Sequence, residues 1–424
     1  MEKLQGKVPQ VRFPEFKDVW EQKRLGDIAK FSKGKGITKA DIIENGNIEC
    51  IRYGELYTKY GDSITEIYSR TNIGLKNLLL SETNDVIIPA SGESQLDIAK
   101  ASCVLKSGVA LGGDLNIIKS ENDGIFLSLY LNSKKKIDIA NLAQGISVIH
   151  LYSSQLATLN LNLPTIPEQK RIASFFTVLD KKIAVQTHYI AFLRQYKKGV
   201  MQKLFSQELR FKDENGKEFP KWEKLNFGKI YSFKITNSLS RDKFNYETGT
   251  VKNIHYGDIH TKYKTLFDVA NEIVPFINLD IKLERIDKEN YCQIGDLVIA
   301  DASEDYSDIG KAIEVINLEN EKILAGLHTI LARPDKNTVS IGFGGYLMGI
   351  DYVQLQIRKI AQGTKVLGLS SKKLSDIIIN LPSKPEQTKI VDFITSIDNK
   401  IHRTENQLQQ TQQYKKGLLQ NMFI

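Results

Sequence analysis

Between residues 172 and 204 apolar side chains recur at alternating steps of four and three: Ile172, Phe176, Leu179, Ile183, Ile190, Leu193, Val200 and Leu204, with Gln186 and Lys197 filling the series. That spacing is the narrow stripe of a long helix that needs a helical partner. A second stripe of equal length runs through Ile390, Ile394, Ile397, Ile401, Leu408, Leu418 and Met422, with Thr404, Thr411 and Lys415 in the remaining places. Each stripe is the other's nearest partner, so the pattern predicts an antiparallel coiled-coil pair. Thr165 with Glu168, and Ser383 with Glu386, read as capping boxes, and Pro167 and Pro385 fall in the first turn, where a missing donor costs nothing. Gly199 and Gly417 either terminate the helices or lie inside them where another helix comes close. At 1.5 Å per residue each helix would be roughly 55 Å long, enough to hold two modules one to two DNA turns apart.

The two stripes belong to a longer repeat. Residues 143–205 reappear without a gap as residues 361–423, so NLPTIPEQKRIASFFTVLDKKI from Asn162 answers NLPSKPEQTKIVDFITSIDNKI from Asn380, and both copies close on YKKG. Weaker echoes at other offsets pair Trp20 with Trp222, IRYGELYTKY from Ile51 with IHYGDIHTKY from Ile254, and the end of DIAKA from Asp97 with DIGKA from Asp308. A unit of about 200 residues is too long for a solenoid, so the chain reads as a duplicated module with internal pseudo-two-fold symmetry. Within each module, short runs such as VIIPAS from Val86 and LVIADAS from Leu297 predict strands, and helical stretches precede each AQG, from Phe126 and from Tyr346. The fold class is therefore α+β: two globular modules joined by two long helices.

At 424 residues the chain is long enough for two large cores, and its net charge of +8 leans toward a polyanionic partner. Cys50, Cys103 and Cys292 show neither metal-ligand nor redox spacing, which disfavours a disulfide framework. The start lacks the apolar stretch of a signal peptide and no run approaches the length of a membrane span, so no membrane partner and a cytoplasmic location are expected. Catalytic constellations are absent. There is no phosphate-binding Gly-Lys-Ser/Thr loop, Gly34-Lys35-Gly36 lacks the third glycine of a dinucleotide fingerprint, and His255 and His260 do not form a zinc motif. Asn162-Leu-Pro and Asn380-Leu-Pro lack the paired prolines and aromatic that hold a target amine for methylation. The chain is expected to be non-catalytic.

Basic and aromatic residues gather on the expected loops: Lys33, Lys35, Lys39, Arg52, Tyr53 and Lys59 in the first module, and Arg241, Lys243, His255, Tyr256 and Lys262 in the second. Lysine and arginine neutralise phosphates while arginine, asparagine and glutamine read base edges, so these are candidate DNA-binding residues. Residues matched between modules cannot by themselves read two different sequences. Matched Gln144-Gly145 and Gln362-Gly363 are accordingly candidates for phosphate contact or for a turn, with a helix cap as the plainer reading.

The order module, PEQ-opened helix, module, PEQ-opened helix resembles the specificity subunit of type I restriction–modification systems. The resemblance rests on VRFPEFKDVWEQKRLGDI from Val11, LPTIPEQKRIASFFTVLDKKI from Leu163, MQKLFSQELRFKDENGKEFPKWEKL from Met201 and LPSKPEQTKIVDFITSIDNKI from Leu381. It implies target-recognition domains at 1–162 and 208–380 and spacer helices at 163–207 and 381–424. It also implies that each domain binds one half of a split double-stranded DNA site, while the helices fix the gap and dock two modification (methyltransferase) subunits. Restriction (translocase and nuclease) subunits would join that complex, and S-adenosylmethionine, ATP and Mg would belong to the partners, with no cofactor bound by this chain. Two other readings fit the residues: a free-standing pseudosymmetric DNA-binding protein, and a protein-only scaffold whose basic charge is incidental.

Overall fold

The computed structural model describes residues 8–146 and 148–424. The chain divides into two compact units, Met1–His188 with Glu405–Ile424, and Tyr189–Thr404. Each unit is built around a five-stranded sheet. In the first the spatial order is Ala29–Lys33, Leu115–Ser120, Asp85–Pro89, Ser102–Val104, Ser63–Ile64; in the second it is Tyr231–Lys234, Thr329–Pro334, Leu297–Ala300, Ala312–Asn317, Leu266–Asp268. Only the last strand of each order runs parallel to its neighbour. Registers agree as well: Val86 lies opposite Cys103 as Leu297 lies opposite Glu314, and Ile117 opposite Ile87 as Leu331 opposite Val298. The drifting echoes in the sequence are thus one architecture with insertions in its loops.

The central strands are apolar on both faces because both are covered. Val86 and Ile88 face a core shared with Trp20, Phe126 and Tyr130, whereas Ile87 faces a second core with Ile51, Leu56 and Leu111. The second unit repeats this, Leu297 and Ile299 pointing one way and Val298 and Ala300 the other. On the far side lies a smaller sheet, Ile48–Ile51 with Ser69–Thr71 and Ala110–Leu111, or Lys252–Ile254 with Phe276–Ile277, Ile323–Ala325 and an added Phe244–Asn245. On the near side are helices. The single helical stretch expected before each AQG is broken in two, into Gly124–Ser133 and Lys136–Leu142, and into Phe343–Met348 and Asp351–Ile360. Lys135 leaves helical geometry at φ −104°, ψ 0°, and Gly349 closes the earlier helix onto Leu347 and Tyr346. The three cysteines are buried and free.

The long helices span Ile166–Phe205 and Lys384–Asn421, 40 and 38 residues. Each unit pairs the first half of one with the last half of the other. In the first, Ile172, Phe176 and Leu179 share a core with Leu418, Met422 and Phe423; in the second, Val200, Leu204 and Phe205 share one with Ile390 and Ile394. Ile190, Leu193, Ile397 and Ile401 are buried, and Ile183 and Leu408 are half-buried. Gly199 and Gly417 lie inside the helices with open space where a side chain would be, so they neither end the helix nor admit a close neighbour.

Two stripe positions are charged, and the structure uses them reciprocally. Lys415 Nζ lies 2.6 Å from Asp180 in the first unit, and Lys197 Nζ lies 2.6 Å from Asp398 in the second. Lys415 also reaches Asp62 at 3.1 Å, which Lys100 holds from the other side at 3.0 Å. Burial pulls the Lys415 ammonium down, but Asp62 and Asp180 outweigh it, so its pKa is raised. A half-buried charge on a seam costs desolvation unless the helices align it with its partner, and such groups therefore fix register.

The expected capping boxes are not formed. Glu168 does not fold back on Thr165; its carboxylate accepts both Nε and Nη2 of Arg12 at 2.7 Å, with the Trp20 indole at 3.4 Å. Glu386 does the same with Arg210, at 3.0 and 2.8 Å, and with Trp222 at 3.1 Å. Thr165 is exposed, and the Ser383 hydroxyl is buried without a partner. The arginines are held in turn by the carbonyl of Asp18, and by those of Phe219 and Pro220. A fork-to-fork guanidinium–carboxylate pair out of water outbids a local cap. The neighbouring glutamine completes the joint. Gln169 donates to Pro164 O and Asn122 Oδ1 and accepts from the Asp123 amide, while Gln387 donates to Pro382 O and Thr338 O and accepts from the Ser340 amide. The PEQ motif is a socket that joins each helix to the globular part of its unit.

Removing one partner of a buried ion pair costs about 3–5 kcal/mol, so Glu168→Ala and Glu386→Ala should each lower the melting transition of their own unit steeply, and Thr165→Ala should be nearly silent. Equal effects of Thr165→Ala and Glu168→Ala in a thermal melt would restore the capping box. A second expectation concerns Glu314, which occupies the place of Cys103. It accepts from the amides of Gly342 (2.5 Å) and Gly345 (2.7 Å), yet burial pushes its carboxyl up to about 7. The folded state then holds a proton that the unfolded chain releases near its ordinary value, so stability is fully present below that value and is lost as pH rises toward 7. The second unit's transition should fall between about pH 4.5 and 7, and Glu314→Gln should flatten that slope, as followed by calorimetry across pH.

Candidate nucleic-acid interface

Arg52, Tyr53 and Lys59 in the first module, and His255, Tyr256 and Lys262 in the second, lie at the small-sheet side. A strand, Ile48–Ile51 or Lys252–Ile254, runs into a short helix, Tyr53–Thr58 or Tyr256–Thr261. Arg52 and His255 are the residues before these helices, and Lys59 and Lys262 follow them. Beneath each lysine sits a buried carboxylate. Glu55 lies 3.2 Å from Lys59 Nζ and accepts the Arg52 amide at 3.0 Å and the Ser69 hydroxyl. Asp258, 1% exposed, lies 3.0 Å from Lys262 Nζ and 3.2 Å from Arg241 Nη2. Both cations stay about half exposed above it, which leaves them able to meet a phosphate.

In the second module the cluster is rich in rings. Tyr256 lies 4.7 Å from His255, 5.3 Å from His328 and 6.1 Å from His260, centroid to centroid. Lys262 reaches over the Tyr246 ring and its hydroxyl at 3.3 Å. His255 is buried, its Nδ1 accepting the Gly257 amide, which places its proton on Nε2. Burial lowers its pKa, and nearby Arg241 and His328 lower it further, so it is neutral at pH 7. His328 is 51% exposed on a left-handed turn at φ 55°, with Asp301 at 3.3 Å. A Cβ at Gly257 would meet Arg241 Nη2 at 2.8 Å, a contact the flexible, half-exposed arginine can relieve by shifting.

The other candidates are spread more widely. Lys33 lies 3.9 Å from Asp114, Lys35 gives its amide to Leu111 O, and Lys39 stands exposed in the turn that carries Arg241 in the second module. Gly34 lets this loop cross Gly112, whose carbonyl would lie 1.9 Å from a Cβ. Lys243 pairs with Asp242 beside it at 2.8 Å. Gln144 and Gln362 do not cap helices; each opens a small exposed loop closed by an antiparallel bridge, to His150 and to Gly368. Gly145 and Gly363 adopt φ 134° and 135°, where a Cβ would lie about 2 Å from the carbonyls of Val148 and Val366. A turn, not a helix end, requires these glycines.

Sequence reasoning missed Glu55, Asp258, Asp114 and His328. The first two had a visible signal, an acid four residues before a lysine in both quoted decapeptides. The last two had none, because only strand register places them together. Among the described residues no group of three or more His, Cys, Asp or Glu side chains could hold a metal ion. No helix among them is long and apolar enough to cross a membrane. Asp258→Asn should destabilise the second unit by about 1–2 kcal/mol, the worth of hydrogen bonds to charged groups discounted for exposed partners, with no change in the first. A thermal melt resolving the two units checks this.

A family model described as the type I restriction modification DNA specificity domain matches residues 17–194 and again residues 214–412. The chain is 25% identical, over 94% of its length and 91% of the relative's, to the type I restriction enzyme MjaVIII specificity subunit of Methanocaldococcus jannaschii. In structure it is similar to the S subunit of a type I restriction–modification system from M. genitalium, with a TM-score of 0.60 at 16% identity over 99% of both chains. A chain from a structure concerned with complex assembly and conformational transition of the type I R-M system gives a TM-score of 0.55 at 15% identity, over 95% of this chain and 97% of that one.

Proposed function

Since this chain belongs to the type I restriction–modification DNA specificity family, carrying its domain twice, we propose that it is the DNA sequence-specificity subunit of such a complex. Each globular module binds one half of a bipartite, asymmetric double-stranded site. The long helices set the gap and dock two modification subunits, and restriction subunits complete the assembly. The chain itself is non-catalytic and works in the cytoplasm, while S-adenosylmethionine, ATP and Mg serve the partners. The observation that carries this reading is the family domain present twice, at 17–194 and 214–412, on two modules of the same sheet order. Lys59 and Lys262 at equivalent places supply phosphate contacts, and the differing loops around them supply two different half-sites.

Mapping methylated bases genome-wide by single-molecule sequencing, in cells holding a cognate modification subunit with and without this chain, should reveal a new two-part motif with a fixed gap only when the chain is present. Exchanging residues 1–160 for those of a relative should change one half of that motif and leave the gap. Chain-independent methylation, with the modification subunit shown to be active, would favour a free-standing binder.

A further inference from the structure

Equivalent positions in the two modules can be assigned by pairing, independently of sequence likeness. In the first, Ile51 lies opposite Leu111 in a parallel pair and the Gly112 amide bonds Ile51 O; in the second, Ile254 lies opposite Ala325 and the Gly326 amide bonds Ile254 O. Arg52 therefore corresponds to His255. Two residues beyond each glycine, Asp114 corresponds to His328, and both are exposed at the tip before a sheet strand. Around this pair the chemistry is kept: Tyr53 answers Tyr256, Glu55 answers Asp258, and Lys59 answers Lys262. A conserved frame of tyrosine, buried acid and held lysine thus surrounds two positions where an arginine and an aspartate are exchanged for two histidines.

We propose that residues 52 and 114 in the first module, and 255 and 328 in the second, are base-reading positions, set in register by the shared lysine on its buried carboxylate. An arginine donates to guanine O6 and N7 and an aspartate accepts from cytosine N4, while His255, with its proton on Nε2, offers a single donor in place of the arginine fork, and His328, with Nδ1 facing Asp301, presents Nε2 in place of the aspartate. The pairs thus present different donor and acceptor patterns from one backbone frame. Glu55 and Asp258 are positioning residues, acting through Lys59 and Lys262.

The assignment rests on the proposed function, and exchange variants test the two separately. Methylation motifs are mapped in cells carrying the modification subunit and either the natural chain, the Arg52→His/Asp114→His double variant, or the His255→Arg/His328→Asp double variant. Each double variant should change or blur bases in one half-site only, lowering methylation of the natural motif roughly five- to hundred-fold. Lys262→Ala should lower its extent at every site without changing the bases. A double variant that melts like the natural chain and yields the natural motif at natural extent overturns the assignment, as does one that alters both half-sites or the gap. Should a double variant melt early, the single tip variants Asp114→His and His328→Asp decide by the same reading, since aspartate tolerates the left-handed backbone of residue 328. Absence of any motif with the natural chain would instead sink the proposed function itself.

Discussion

Everything else in each unit hangs on a carboxylate that is out of water. Glu168 and Glu386 are each 1% exposed, and such a charge is tolerable only if an opposite charge and further donors meet it. Arg12 and Arg210 meet it with two donors, the tryptophan indoles add a third, and each arginine also donates from Nη2 to carbonyls of the entering chain. The demand for complete pairing ties the start of a long helix to the segment that enters the module. The adjacent glutamine extends the tie to the loop that starts the next helical layer, where Asp123 both donates its amide to Gln169 Oε1 and caps the helix beginning at Gly124.

Such a joint makes the two faces of each five-stranded sheet unequal. On the helix side, pairing and packing leave little freedom, and the two units are nearly the same there: Phe126 and Phe423 meet in one as Phe343 and Phe205 meet in the other. On the small-sheet side the frame persists but the exposed residues differ. A surface supported from behind by a rigid layer can change its side chains without moving its backbone, the arrangement required of a module that keeps its fold while its target changes.

Reciprocity of the charged seam positions belongs to the same logic. Lys415 with Asp180, and Lys197 with Asp398, are one contact made twice by residues that repeat at a constant offset. Burying apolar residues alone would let two stripes slide by a heptad at modest cost. A lysine that must find its aspartate removes that choice, so the seam combines apolar burial for stability with charge for register.

Much was legible in the residues themselves. Helical periodicity predicted both long helices to within a few residues, because a stripe at steps of three and four has no other regular conformation that buries it. Repetition announced the duplication, and the β-like runs from Val86 and Leu297 became central strands since unbroken apolar runs fit a layer covered on both faces. The roles of Thr165, Ser383, Glu168 and Glu386 were read wrongly from the sequence. Local spacing favoured a cap three residues away, whereas the partner that wins is 156 residues distant in the chain for Glu168 and 176 for Glu386. Likewise nothing near Asp114 or His328 in sequence connects them to Arg52 or His255; strand pairing does. Periodicity and repetition are local or self-referential signals that a chain carries openly. Which buried charge meets which, and which loop tips share a surface, depends on long-range register, and only the folded arrangement decides that.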